Sequence, residues 1–214
     1  MSLMTEKEND CIHKYMSMSK TYLEWGAGES TRYASRLSNL QRIFSVESSN
    51  EFFQEHVLSD PEVARASQEG RLEYRIANLG PCKMWGIPVS QEYQFLWPNY
   101  VLCPFLDRDS RYDMVLIDGR FRVACALASC LAGEAVQHIL IHDYAPRPEY
   151  HVVEEFADVV ERVDTLVVLK RKPNASRCKL QRLLSMYIYM PTDIATPPTF
   201  KNKLIFKARR LLSL

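Results

Sequence analysis

Residues 21–31 read TYLEWGAGEST, and this stretch decides the fold. Thr21 to Trp25 has the character of a strand, and it runs straight into two glycines with one residue between them. Ser30 to Leu37 then opens a helix. Gly26 and Gly28 admit positive φ without a Cβ penalty. The amides that begin the helix face whatever lies against the turn. A strand, a glycine turn and a helix in this order begin a doubly wound α/β unit, in which ligands bind beyond the carboxyl ends of the strands.

The rest of the chain alternates in the same way. Residues 6–19 read as an N-terminal helix, with Ile12, Tyr15 and Met16 at helical spacing. RIFSVE (42–47) is a second strand, followed by a helix from about Asn50, and LEYRIAN (72–78) is a third strand. DMVLID (113–118) is nearly all apolar, as suits a strand buried on both faces. VACALASCLA (123–132) reads as a helix of small residues able to lie close to a sheet. HILIHD (138–143) is a fifth strand, EYHVVEEFADVV (149–160) a helix and TLVVLKR (165–171) the last strand. Residues around Val159–Asp164 are a candidate antiparallel partner for that last strand. The pattern predicts a three-layer α/β/α Rossmann-like sandwich. Residues 1–172 form that α/β domain, with a basic C-terminal extension over 173–214.

Two regions fall outside the alternation. Residues 79–112 form a long connection rich in aromatics, from Trp85 and Tyr93 to Trp97, Tyr100 and Tyr112. It is read either as a lid over a pocket or as a loop packed on the domain edge. From Lys170 onward there are eleven Lys or Arg and one acid, Asp193, although the whole chain has a formal net charge of only +1. That segment suits packing on the acidic body, an acidic partner or a membrane surface.

Six cysteines are scattered without a CxxC pair, and they read as reduced thiols in a cytoplasmic setting. No apolar run approaches the ~20 residues needed to span a bilayer. The opening MSL ahead of Met4 reads as an appended start.

The glycine turn is selective. A dinucleotide fingerprint needs a third glycine at position 31, where Thr31 stands. Glu24 and Glu29 flank the glycines and would repel a pyrophosphate in a partly desolvated cleft. A ligand with an ammonium and a sulfonium has the opposite preference, and S-adenosylmethionine is such a ligand. Glu47 ends the second strand, placed to accept both hydroxyls of a ribose.

YLEWGAGEST, IFSVESS, YDMVLIDGR and ILIHDY together resemble the successive motifs of class I S-adenosylmethionine-dependent methyltransferases, over roughly residues 20–171. The resemblance implies a mostly parallel seven-stranded sheet whose last strand is antiparallel. It implies cofactor contacts from Glu24, Gly26, Gly28, Ser30 and Thr31, and a ribose contact from Glu47, with Ser48 beside it. Residues near Asn78 border the adenine, and Asp118 belongs to the same site.

Asp118, His142 and Asp143 stand at neighbouring strand ends as the candidate catalytic group. Three roles are open for them. In enzymes resembling the catechol-type O-methyltransferases, such positions hold a divalent cation, although His142 departs from that pattern. His142, oriented by Asp118 or Asp143, is alternatively a general base. The third role is loop orientation and helix capping. Trp85, Arg120, Arg122, Tyr144 and Tyr150 are candidate substrate contacts.

The expected activity is methyl transfer from S-adenosylmethionine, leaving S-adenosylhomocysteine, to an oxygen or nitrogen of a small or medium acceptor. IDGRFR (117–122) lacks the Asn/Asp-Pro-Pro-aromatic motif common in N-methylation of nucleic acid, which argues against methylation of a base amine, and nucleic acid is not the expected partner. A degenerate scaffold with a basic tail and a nicotinamide-dependent oxidoreductase are the alternatives.

Overall fold

A computed structural model describes residues 4–107 and 110–191. The opening MSL and residues 192–214 of the basic extension lie outside the described residues. Seven strands form one sheet: β1 (Thr21–Trp25), β2 (Arg42–Glu47), β3 (Leu72–Ile76), β4 (Tyr112–Ile117), β5 (Val136–Ile141), β6 (Ala157–Val163) and β7 (Leu166–Arg171). Their order across the sheet is β3-β2-β1-β4-β5-β7-β6. The first five pair in parallel, and β7 is antiparallel to both its neighbours. The order reverses between β1 and β4, so the crevice opens where the glycine turn leaves β1.

Alternation along each strand feeds two cores. Leu23, Trp25, Val46, Val115, Ile117 and Ile141 point to one face, which α5 (Trp97–Leu102) and α6 (Arg122–Ala132) cover. Tyr22, Ile43, Met114, Leu116 and Leu140 point to the other, under α1 (Glu6–Ser17), α2 (Glu29–Arg36) and α4 (Pro61–Gln68). The helix expected from Asn50 is one short turn, α3 (Asn50–Phe52), which widens into a π-helical turn over Phe53–Val57.

α6 carries almost no polar face because it is covered on both sides. The sheet lies under it, and α7 (Arg177–Tyr187) packs over it. Leu180, Leu183 and Leu184 of α7 are buried in the same core as the strands. Burial of each stabilises by about 1.5–3 kcal/mol. The described start of the basic extension is thus packed on the α/β body.

One element differs from the sequence reading. Residues 149–160 do not form a helix. Pro148–Glu155 coils as 3-10 turns, and from Ala157 the chain is β6. As an edge strand β6 leaves Val159 and Val160 exposed, which blurs its alternation into a helix-like pattern. Pairing with β7 decides the matter, through a tight turn with Asp164 at φ +48 and a bulge at Val159/Glu161. The 79–112 connection also has structure of its own. It holds a two-stranded hairpin (Cys82–Lys83 with Ile87–Pro88) and α5, while Tyr112 belongs to β4. Trp97 and Tyr100 pack inside, as a loop packed on the domain edge would have them, and Trp85 stands out at the hairpin tip.

Candidate active site

Strand register brings the ends of β1, β4 and β5 together. Gly26 donates to Val46 O at 2.9 Å, Asp118 N donates to Trp25 O at 2.9 Å, and His142 N donates to Ile117 O at 3.2 Å. A cleft of about 1450 Å³ opens over these ends, lined in part by Gly26, Gly28, Ser30, Trp85, Asp118 and Arg120.

The two glycines do different work. Gly26 sits at φ +94, and a Cβ there would lie 2.8 Å from Gly119 N and 2.9 Å from its Cα. It is required so that the β1 and β4 turns can touch. Around Gly28 nothing lies within 4 Å of where a Cβ would be. Its bare backbone faces open cleft, as a ligand cradle requires.

Glu24 lies beneath the turn, fully buried, and it does not line the cleft. Hydroxyls from Tyr22 (2.9 Å), Ser30 (2.7 Å), Ser45 (2.8 Å) and Thr31 all donate to its carboxylate. Burial nevertheless outweighs these bonds and raises its pKa. Thr31 in turn accepts from Gly28 N at 2.9 Å. The residue that replaces a third glycine therefore ties the turn to the acid below it. Glu29 pairs with Arg32 on the surface. The acids lining the cleft are thus Glu29, Asp118 and Asp143, while Glu24, the other acid on which the charge argument leaned, lies below the turn.

Glu47 closes the other side. Its Oε2 accepts from Ala27 N at 3.2 Å, and its Oε1 from Ser48 N and Ser49 N at 2.6 and 3.0 Å. The Ser48 hydroxyl also donates to Oε1, at 3.0 Å, so the acid at the end of β2 is fixed against the glycine turn and its spare acceptor capacity lies on Oε2. Asn78 is exposed, and its side chain accepts from Gly80 N at 2.8 Å, so it caps its own turn.

No family model and no curated protein matches the sequence. Among solved structures, the chain is similar to a methyltransferase-like protein from Silicibacter pomeroyi. The two share 25% identity over 89% of this chain and 98% of the other, with a TM-score of 0.75. It is also similar in fold to a candidate tRNA methyltransferase from Streptococcus pneumoniae, at 14% identity over 97% of this chain and 86% of the other, with a TM-score of 0.51. This chain has the class I methyltransferase fold.

In this methyltransferase-fold protein, Asp118, His142 and Asp143 do meet at the strand ends, but they are bound into a charge network. His142 is 4% exposed. Its Nδ1 lies 2.8 Å from Asp118 Oδ1, and its Nε2 lies 3.5 Å from Glu8 Oε2. Burial pushes the imidazole pKa down, but the hydrogen bond and charge of Asp118 outweigh it and leave the pKa raised. Both ring nitrogens face carboxylates, an arrangement that favours the protonated ring and ties His142 into the strand-end network. Nothing in the local sequence marks Glu8 as its partner, because Glu8 arrives from α1.

Arg122, 4% exposed, is the second hub. It donates to His142 O at 2.6 Å and Asp143 Oδ2 at 3.0 Å, and its Nη2 lies 3.3 Å from Asp118 Oδ1. Arg147 reaches the same Asp143 oxygen at 2.9 Å. These cations and His142 together hold the Asp143 carboxyl below its ordinary range, against the opposing effect of burial. Guanidinium groups thus sit where a divalent ion would need to be, so the Asp118–His142–Asp143 set does not fit a metal centre. Among the described residues, no group of three or more His, Cys, Asp or Glu side chains is arranged to hold one.

Two further sequence candidates lie away from the cleft. Tyr144 is buried and donates to Glu154 at 3.0 Å, and Tyr150 is buried near Tyr144 and Arg147. Both are packing residues because the chain turns inward after β5, with Asp143 at φ +57. Trp85, Arg120 and Arg122 remain on the cleft wall. Among the described residues, no helix is long and apolar enough to cross a membrane.

Proposed function

We propose that this protein transfers the methyl group of S-adenosylmethionine to an oxygen or nitrogen of a small or medium acceptor. The observation that carries the reading is the pairing of an open glycine cradle with a fixed acid. Gly28 presents bare backbone to the cleft, while Glu47 is bonded to the amide of Ala27 in the same turn. Similarity to the Silicibacter pomeroyi methyltransferase-like protein supports it.

Gly26 and Gly28 would hold the methionine part, Glu47 with Ser48 the ribose, and Asp118 the ammonium or the acceptor. The bound cofactor supplies a methyl group already activated on sulfur, so the chain's task is positioning and exclusion of water. Asp118 suits a role at the reacting centre. It lines the cleft and is a third exposed, and its Oδ1 takes the contacts of both His142 and Arg122, which leaves Oδ2 for a ligand. Glu24, Thr31 and Ser30 act through the turn as positioning residues.

Thermal-shift and calorimetric titration with S-adenosylmethionine, S-adenosylhomocysteine and NADH tests the reading. At 100-fold saturation the adenosyl ligands should stabilise the protein by about 2.7 kcal/mol. Glu47→Ala should remove the response. A response to NADH alone would instead support the oxidoreductase alternative. The scaffold alternative shares the cofactor binding but predicts no S-adenosylhomocysteine production with any acceptor.

A further inference from the structure

The family resemblance puts the cofactor's purine near Asn78, and the structure gives Asn78 other work. It does not line the cleft, and its side chain is spent on Gly80 N in its own turn. The residues that follow build the hairpin of Cys82–Lys83 with Ile87–Pro88, which brings Trp85 and Ile87 back to the cleft wall. This hairpin is seated on the ribose corner. At Gly86 a Cβ would lie 2.7 Å from Ser48 Oγ, and Ser48 is bonded to Glu47 through its own amide and hydroxyl. At the hairpin's start, burial and then the charge of Glu47 push the Cys82 thiol pKa up. On its other side Glu47 is tied to Ala27 of the glycine turn. A ribose at Glu47 with its methionine arm at the glycine turn therefore carries its base toward the hairpin tip, because arm and base leave the sugar from opposite ends.

The tip supplies the second observation. Trp85 sits at φ +68, ψ +21, a left-handed backbone that bulky residues rarely adopt and that concentrates at ligand clamps. It is 65% exposed while lining the cleft. Among the described residues its indole stacks on no other ring and on no cation, whereas Phe52, also on the cleft, tilts against His56 at 5.3 Å. A strained backbone thus holds a large apolar plane in water beside the residue that fixes Glu47. An indole face stacks flat rings, and a nucleobase offers such a face whatever its hydrogen-bonding edge.

We infer that Trp85 is the platform on which the cofactor's adenine stacks, in place of a contact from Asn78. This rests on the methyltransferase reading of the same cleft and adds to it the residue that holds the base. Trp25 and Trp97 are buried, so quencher-accessible tryptophan emission reports Trp85. The experiment combines acrylamide quenching with calorimetry, using S-adenosylhomocysteine as the probe. It compares the parent protein with Trp85→Ala, Trp85→Phe and Asn78→Asp. Trp85 is exposed, so its variants should unfold at the parent's urea midpoint when unliganded.

Saturating S-adenosylhomocysteine should shield Trp85 from acrylamide. Trp85→Ala should weaken binding at least about fivefold, the lower end for loss of one base–aromatic stack, and Trp85→Phe should recover most of it. Asn78→Asp keeps an acceptor for Gly80 N and should bind within about twofold of the parent, since a hydrogen bond from the adenine amine would be strengthened by more than that. Quenching of Trp85 that is the same with and without saturating ligand overturns the inference. So does a Trp85→Ala protein that binds within about twofold of the parent, because a lost stack costs more than that. Phenylalanine no better than alanine at this position overturns it too, and tighter binding by Asn78→Asp gives the base back to the end of β3. Absence of any S-adenosylhomocysteine binding by the parent is a separate result: it sinks the methyltransferase reading, and the adenine platform falls with it.

Discussion

Replacing Glu8 by alanine tests whether α1 is anchored to the strand ends by a buried charge bridge. Glu8 is 1% exposed. Its carboxylate accepts from Thr5 N at 2.8 Å, Thr165 N at 2.8 Å and Thr165 Oγ1 at 2.6 Å, and it lies 3.5 Å from His142 Nε2. Alanine leaves two backbone donors, the Thr165 hydroxyl and the His142 ring short of a partner. Breaking one side of a buried pair costs about 3–5 kcal/mol. For a chain of this size that lowers Tm by roughly 6–20 °C, at about 2–4 °C per kcal/mol.

The pH dependence separates the two sides of the bridge. Burial opposes the charged form of Glu8, yet its bonds to Thr165 and Thr5 leave its pKa lowered. Its contribution is therefore present above the unfolded carboxylate pKa and is lost as pH falls through the folded value. His142 is raised, chiefly by Asp118 against burial. Its contribution is complete below the ordinary histidine pKa and is lost as pH rises through the folded value. Urea unfolding of parent, Glu8→Ala and Asp118→Asn across this range is the assay. Asp118→Asn should flatten the alkaline limb. Glu8→Ala should lower stability at neutral pH while keeping most of that limb, because the 3.5 Å contact is the weaker one. A Glu8→Ala protein within about 1 kcal/mol of the parent would refute the anchor, since a buried bridge costs more than that to break.

Three other outcomes follow from the packing. Gly119→Ala places a Cβ 2.0 Å from the Tyr100 hydroxyl and 2.9 Å from Gly26 N. It should cost about 1–3 kcal/mol, and Tyr100→Phe in the same chain should recover only part, because the backbone contact stays; urea midpoints of the single and double variants check this. Thr31→Val keeps the volume but leaves Gly28 N–H and one Glu24 oxygen short of a partner, so it should cost about 1–3 kcal/mol and weaken S-adenosylhomocysteine binding by calorimetry. Leu183→Ala in α7 should destabilise the whole domain by about 2–5 kcal/mol in a single cooperative transition; a separate early transition would show that α7 is not part of the core.

The sequence by itself determined the alternation of strands and helices, the glycine turn and the acids at the ends of β2 and β4. These are local features: periodicity and turn chemistry act over a few residues and survive without knowledge of neighbours. It also singled out His142 and Asp143 as neighbours of Asp118, because consecutive parallel strands end on one side of the sheet. Only the tertiary structure decided what these groups face. The partners of His142 and Glu24 come from elements far apart in sequence, Glu8 from α1 and Ser45 from β2. The 157–163 segment is a strand because β7 pairs with it, not because of its own pattern. Tyr144 and Tyr150 turned inward and Trp85 outward for a similar reason. A side chain's chemistry is written in the sequence, but its burial and the charges around it are set by contacts that form only when the chain has closed on itself.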